Sequence, residues 1–529
     1  MINLKSRPCD DLAIRSTPLG SDCAKRDRGW VLAAAVLGST MAFVDESVVN
    51  VALPRMEIDL ATTLAGMQWV INAYTLCLSA LLLIGGAAAD QFGRRKIFLS
   101  GVVIFAAASL GCGLAPGVGV LILARAIQGV GAALLIPCSL AIIGAAYGEK
   151  ERGAAIGIWS GASAIAAGAG PLLGGWLVDH VSWRAIFIIN PVLAVPTLLI
   201  TARHVAESRD PQAPAGLDWT GAVLAFGGLG SLVYGLISAS ADGWGSLLVI
   251  GSVLAGSALL LAFLMAERRA SAPMVPLALF RSAAFSGVNL LTLLLYGALG
   301  GAMFFLPFAL IQVHGYSATA AGAVFLPFTL ILGLLSKWGG GLVDRFGARL
   351  PLIVGPSIVA LGLLLLGVPG SGGLYVTTYL LPMVVIGFGM AVTVAPLTTT
   401  VLNSVPQHQT GVASGINNAV ASVASLLLIA ILGSAGTSSF GHALDRNLQS
   451  AQAAPEVRRI VDEARGGFVM PQIPAGASEA SRQVARAVLA KSFVETVRLV
   501  MVIAAGLALA SALAAAFSIR AVSHSKPAA

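Results

Sequence analysis

Two adjacent carboxylates, Asp45 and Glu46, interrupt the apolar run "FVDESVVNVALP" (Phe43 to Pro54), and one Arg, Arg125, interrupts another in "RAIQGVGAA". An ionisable side chain inside a long apolar segment is costly, and it marks a proton relay, an ion path or a buried charge pair. A static Asp–Arg pair is the plain alternative. Two acids against one base leave one carboxylate without a fixed partner, able to take up and release a proton. Successive helix positions point about 100° apart, so the two acids need not do the same work. Asp45 shares a face with Met41, Ala42, Val48 and Val49, whereas Glu46 shares one with Ala42, Phe43, Val49 and Asn50. Gln128 lies three residues beyond Arg125 on the same face and can join its network. Asn72, Gln312, Asn403, Asn417 and Asn418 are weaker candidates for lining a path, each explained as well by a hydrogen bond between helices.

The elements that position these groups follow from composition. Of 529 residues, 57% are hydrophobic and 11% charged, against roughly a quarter charged in soluble chains, which predicts an all-α integral membrane protein. Apolar runs long enough to cross roughly 30 Å of hydrocarbon recur as fourteen spans. They cover about 30–53, 67–88, 97–115, 118–147, 153–177, 185–202, 219–238, 246–266, 284–311, 317–337, 350–368, 374–399, 411–433 and 493–518. Fifteen residues separate Trp30 from Asp45, which puts the acids about 22 Å along the first span, beyond the midplane. Arg125 lies about 10 Å in from the outer end of the fourth span, a similar depth.

Basic residues collect on the cytoplasmic side of short loops. With the N-terminus inside, Arg94, Arg95, Lys96, Arg203, Arg268, Arg269, Arg345 and Arg349 are all cytoplasmic, and only Arg55 and Arg184 fall in short outer loops. The net charge of +8 is thus a topology signal, and no nucleic-acid partner is expected. The stretch 434–492 is expected outside as a solvated cap with short amphipathic helices, as "RQVARAVLA" indicates. The N-terminal 29 residues lack the apolar core of a cleavable signal, so the first span is expected to stay as an anchor. Five cysteines without C-x-x-C spacing and six scattered histidines predict no metal site, and no cofactor is expected. The phosphate-loop pattern and any nucleophile–base set are also missing, so neither an ATP-driven pump nor an enzyme is expected.

An internal echo speaks to architecture. "GAAADQFGRRK" (Gly86 to Lys96) and "GGLVDRFGARL" (Gly340 to Leu350) place Gly, Asp and Gly in one register, so Gly86, Asp90, Gly93 and Arg94 have a counterpart around Asp344. Two related halves with a site between them are the build of many secondary transporters. The fifth span carries Gly161, Gly168, Gly170, Pro171, Gly174 and Gly175, a thin helix against which another can pack and which can bend.

These stretches resemble the major facilitator superfamily. "GAAADQFGRRK" is similar to its signature loop, "RAIQGVGAA" to its fourth-helix motif, and "GPLLGG" (Gly170 to Gly175) to the antiporter motif. "DESVVNVALP" and "WRAIFIINP" resemble the first- and sixth-helix stretches of its 14-helix drug:proton antiporters, the EmrB/QacA type. Departures are Ala166 for a usual Gly, Ala348 for a usual Arg, and Glu46 where an uncharged residue is common. The resemblance implies a proton-coupled exporter of hydrophobic, often cationic compounds in the cytoplasmic (inner) membrane. Asp45 would be the coupling acid, Arg125 and Glu46 would join it, and the loop and glycine residues would gate. Implied domains are a tail at 1–29, six-helix bundles at 30–205 and 284–518, two inserted helices within 206–283, and a tail at 519–529, both tails cytoplasmic. Protons, lipid and a small-molecule substrate are the implied partners, and an exporter of this kind can also use a periplasmic adaptor protein. An uptake symporter or a non-transporting receptor of the same fold stays open as an alternative.

Overall fold

The computed structural model describes residues 22–209, 216–270, 273–368, 375–406, 409–462 and 478–519. Among them there is no strand, and fourteen helices are long and apolar enough to cross a membrane. They are α1 (Asp22–Asp59), α2 (Leu64–Phe92), α3 (Arg94–Gly113), α4 (Val118–Ala146), α5 (Glu149–His180), α6 (Ala185–His204), α7 (Trp219–Asp242) and α8 (Leu247–Arg269). Then follow α9 (Ala283–Phe308), α10 (Ala318–Ala323, resuming as Leu326–Gly340), α11 (Arg349–Gly367), α12 (Leu381–Asn403), α13 (Thr410–Ser450) and α14 (Glu479–Ser518). Sides are named by the orientation expected from the basic residues, inner for the Arg94 loop and outer for residue 460.

Side-chain oxygens of Thr63, Asp218, Ser282, Ser317 and Ser478 accept from backbone N–H groups in the first turns of α2, α7, α9, α10 and α14. The break in α10, not expected from its apolar run, falls before Pro327, which opens a new helix because it has no N–H to continue the old one. π turns at Ala309–Val313 and Val376–Leu380 likewise interrupt the ends of the ninth and twelfth spans.

Helices α1 to α6 pack largely on one another, as do α9 to α14, while α7 pairs with α8 and lies against α2 and α13. Leu76 of α2, Leu229, Val233 and Ile237 of α7, and Leu426 and Ala430 of α13 form the apolar seam there. Above it, the Gln68 amide donates to the Ile429 carbonyl at 2.9 Å, a further link between α2 and α13.

The stretch beyond residue 434 departs from the solvated cap. Helices α13 and α14 continue past the apolar spans, and with the short helix Pro455–Asp462 they bury Phe440, Leu444, Leu448, Val457, Ile460, Val461, Val488 and Leu489. Asn447 donates to the Ser492 hydroxyl at 2.9 Å, and the Phe440 and Phe493 rings meet edge to face at 6.2 Å. The physical reason is periodicity: apolar residues at 440, 444 and 448 and at 485, 488 and 489 recur every three or four positions, so each helix has a face to bury. "RQVARAVLA" is therefore the first part of α14, not a separate helix.

Candidate functional site

Asp45 and Arg125 meet in the middle of the first six helices, both within 1% of full burial. Asp45 Oδ2 accepts from Arg125 Nη1, while Oδ1 accepts from Gln128 Nε2 at 2.7 Å and Asn190 Nδ2 at 2.9 Å. Arg125 Nη1 also donates to Gln128 Oε1 at 2.7 Å, and its Nε donates to the Val70 carbonyl at 3.1 Å. The guanidinium lies 4.3 Å from the centroid of the Tyr74 ring. Ser109 Oγ closes the network, 2.6 Å from Gln128 Nε2 and 3.1 Å from Asn190 Nδ2. Helices α1, α2, α3, α4 and α6 each contribute, so the cluster ties five helices together. A buried ion pair survives desolvation only where further hydrogen bonds satisfy the remaining lone pairs and protons, and this one has them.

Glu46 stands in another setting. Its side chain is exposed, and its carboxylate makes no hydrogen bond or ion pair among the described residues; only its backbone carbonyl is engaged, by Asn50 Nδ2 at 3.2 Å. It nonetheless lies deep in the protein, where Arg125 and Asp45 act on it electrostatically. A side chain at once deep and open lines an internal space. One turn toward the inner side, Phe43 packs edge to face on Trp159 of α5 at 6.2 Å, and the Trp159 indole donates to Ser39 Oγ at 2.8 Å.

The glycines of α5 divide that helix in two. At the outer half, a Cβ on Gly170 would collide with Ser47, on Gly174 with Val48, and on Gly175 with the Ala318 carbonyl, while one on Gly322 of α10 would collide with the Pro171 carbonyl. Asp179 crosses the same junction, accepting from the Ala318 and Thr319 backbone N–H groups at 3.0 and 2.7 Å and from the Thr319 hydroxyl. At the inner half, a Cβ on Gly157 or Gly161 would meet nothing within 4 Å. The outer end of the α5–α10 seam is thus closed and the inner half of α5 is open.

The inner loop repeats share a glycine turn. Asp90 accepts from Arg94 at 2.8 Å, and Gly93 adopts φ +117°, as Gly347 adopts φ +69° at the matching place in the second copy. Glu207 caps α3 by accepting from the Arg95 and Lys96 backbone N–H groups, each at 3.1 Å, and a Cβ on Gly93 would run into it. A Cβ on Gly86 would touch Pro137 of α4 at 3.6 Å, an ordinary contact. The side chain of Asp344 lies outside the described residues.

The residues expected from sequence are therefore split by the fold. Asp45, Arg125 and Gln128 come together, and Glu46 stands beside them with its carboxylate unpartnered. Asn72 is fully buried with neither amide atom hydrogen-bonded among the described residues, and it is no part of the Asp45 network. Gln312 sits half-buried in the π turn after α9 and does not bond to Asp45. Sequence reasoning missed Asn190, Ser109, Tyr74, Glu207 and Asp179. Asn190 alone had a usable signal, a lone amide inside the apolar run of α6.

Comparison with known proteins agrees with this architecture. The family model described as Major Facilitator Superfamily matches residues 35–220 and 217–429. The chain is 34% identical to the multidrug resistance protein Stp of Mycobacterium tuberculosis (strain CDC 1551 / Oshkosh), over 89% of this chain and 88% of that one. It is 34% identical to the tetracenomycin C resistance and export protein of Streptomyces glaucescens (84% of each chain), and 36% identical to the puromycin resistance protein pur8 of Streptomyces alboniger (78% and 82%). Among solved structures, an inward-facing, unoccupied bacterial homologue of the human lysosomal transporter Spinster superposes with TM-score 0.63 at 18% identity, covering 94% of this chain and 98% of that one.

Proposed function

Since the chain belongs to the major facilitator superfamily, we propose that it is a proton-coupled exporter of hydrophobic, often cationic drugs or other lipophilic compounds. The names of its relatives, for resistance to or export of several drugs, tetracenomycin C and puromycin, support the direction and the class of cargo.

One observation carries the mechanism: an open, unpartnered carboxylate, Glu46, beside a saturated buried pair, Asp45–Arg125. A cation or a proton can neutralise Glu46, and the two compete for one charge. Crossing with the bare charge exposed to apolar surroundings is costly, so the loaded forms cross and exchange follows. In the packing seen here the Asp45–Arg125 pair holds α1, α2, α4 and α6 together. Proton transfer to Asp45 would release Arg125 and loosen that packing, which makes the pair the switch and Glu46 the exchanger. The bundles at 30–205 and 284–518 would rock about the α5–α10 and α2–α13 seams, with Asp179 holding the outer closure and the Asp90–Arg94 loop setting the inner one.

This reading also places the protein in the inner membrane with cytoplasmic termini. Drug susceptibility with and without expression, repeated with a proton uncoupler, tests the proposal. Protection abolished by the uncoupler is the expected result, and expression that never changes susceptibility would count against export.

A further inference from the structure

Away from Asp45, two carboxyl groups face each other at the inner ends of α7 and α8. Asp218 is the N-cap of α7, where Oδ1 accepts from the Gly221 N–H at 2.8 Å and Oδ2 is buried with no donor. Glu267, in the last turn of α8, is only 3% exposed; one oxygen accepts from the Val275 N–H at 3.0 Å, and Oε1 is buried with no donor. Both orphan oxygens lie over Gly221. A Cβ there would stand 2.6 Å from Asp218 Oδ2 and 2.8 Å from Glu267 Oε1, so the two orphan oxygens flank one point.

Two ionised carboxylates so close repel, and a buried acceptor left without a donor loses the hydrogen bond it would have with water. A single proton between them removes both penalties, because one carboxyl then donates to the other. The charged neighbours offer no substitute. Arg268 and Arg269 flank Glu267 in sequence but are exposed, as is Arg281 of the short helix Leu277–Arg281. On the adjoining loop Asp90 and Arg94 pair with each other, and Asp218 supplies the one charge that acts on Glu267 among the described residues.

We propose that Asp218 and Glu267 form a second proton-binding site, a carboxyl–carboxylate dyad separate from the transport path, which closes the inner ends of α7 and α8 only while it holds a proton. Loss of the proton in an alkaline cytosol splits the two helix ends. The split has a receiver: Gln91, next to Asp90 in the signature loop, donates to the carbonyl of Gly216 at 2.9 Å, two residues before Asp218. Proton occupancy of the dyad thereby sets how firmly the segment leading into α7 is held against the loop.

Hydrogen–deuterium exchange on the full-length protein in nanodiscs, corrected for intrinsic rates, tests this between about pH 5.5 and about pH 8.5. In the wild type, peptides covering 216–222 and 273–276 should lose about tenfold in protection as the pH rises, the equivalent of one pH unit of linkage. Glu267→Gln carries a permanent N–H donor for Asp218, so its protection should stay at the low-pH level throughout. Asp218→Asn keeps a capping side chain and supplies a donor from the other side, giving the same answer if Glu267→Gln does not fold. Wild-type protection flat across the range, or a Glu267→Gln profile that tracks the wild type, would overturn the dyad. Protection restored at high pH by added Ca²⁺ or Mg²⁺ would overturn the proton assignment in favour of a metal cation. None of these measurements depends on transport, so they stand or fall independently of the exporter reading.

Discussion

Asp45 and Glu46 are neighbours in sequence, yet Asp45 accepts three side-chain hydrogen bonds in full burial while the Glu46 carboxylate accepts none and stands open. Their substitutions should therefore fail differently. Glu46→Gln removes the exchanging charge and disturbs no contact, so thermal stability should stay within about 0.5 kcal/mol of wild type while proton-driven efflux of cations is lost. Asp45→Asn strands a buried guanidinium and should cost about 3–5 kcal/mol of stability as well as activity. Proteoliposomes with an imposed pH gradient, together with thermal unfolding in detergent, separate the two; full cation efflux by Glu46→Gln would remove it as the exchanger.

Arg125 offers a test of the switch. Lys keeps the charge but loses the planar fork that reaches Asp45, Gln128 and the Val70 carbonyl together, and the stacking on Tyr74. Arg125→Lys should express near wild-type levels and transport at below about a tenth of the wild-type rate, a barrier raised by more than about 1.4 kcal/mol. Normal turnover in this variant would show that the pair is structural only.

The divided α5 predicts opposite outcomes for two glycines of one helix. Gly175→Val drives a side chain into the Ala318 carbonyl and should unseal the outer end, whereas Gly161→Ala meets open space and should be tolerated within about 1 kcal/mol. Labelling of a cysteine placed at Thr319 by an impermeant reagent reports the outer seal. Equal labelling in both variants would contradict the closure assigned to the α5–α10 seam.

The inner loop should act on rate rather than on affinity. Asp90→Ala removes the acceptor for Arg94 but touches nothing in the space around Glu46. Substrate Kd measured by dye binding should hold while turnover falls several-fold, and unchanged turnover would show the Asp90–Arg94 pair to be dispensable.

Sidedness is checked by reporter fusions. Residue 1, the loop at Arg94 and residue 529 should report cytoplasmic, and residue 460 should report outside. A cytoplasmic residue 460 would sink the fourteen-span topology.

Much of this protein is determined by local chemistry that a sequence displays. Span length against bilayer thickness sets the helices, the placement of Arg and Lys sets the expected sidedness, and a rise of 1.5 Å per residue puts Asp45 and Arg125 at one depth. The repeated loop is equally legible, because Gly93 and Gly347 take positive φ where only glycine sits without strain. Partner choice is another matter, since it is made between residues far apart in the chain. Asp45 is 80 residues from Arg125 and 145 from Asn190, and helix packing alone decided that these donors close on Asp45 and leave Glu46 open. The same holds for Glu207 under the signature loop, for Asp179 on α10, and for the meeting of Asp218 with Glu267 over Gly221. In an apolar medium a charge takes whatever polar group the neighbouring helix presents at its level, and that neighbour, its rotation and its separation exist only once the bundle is assembled.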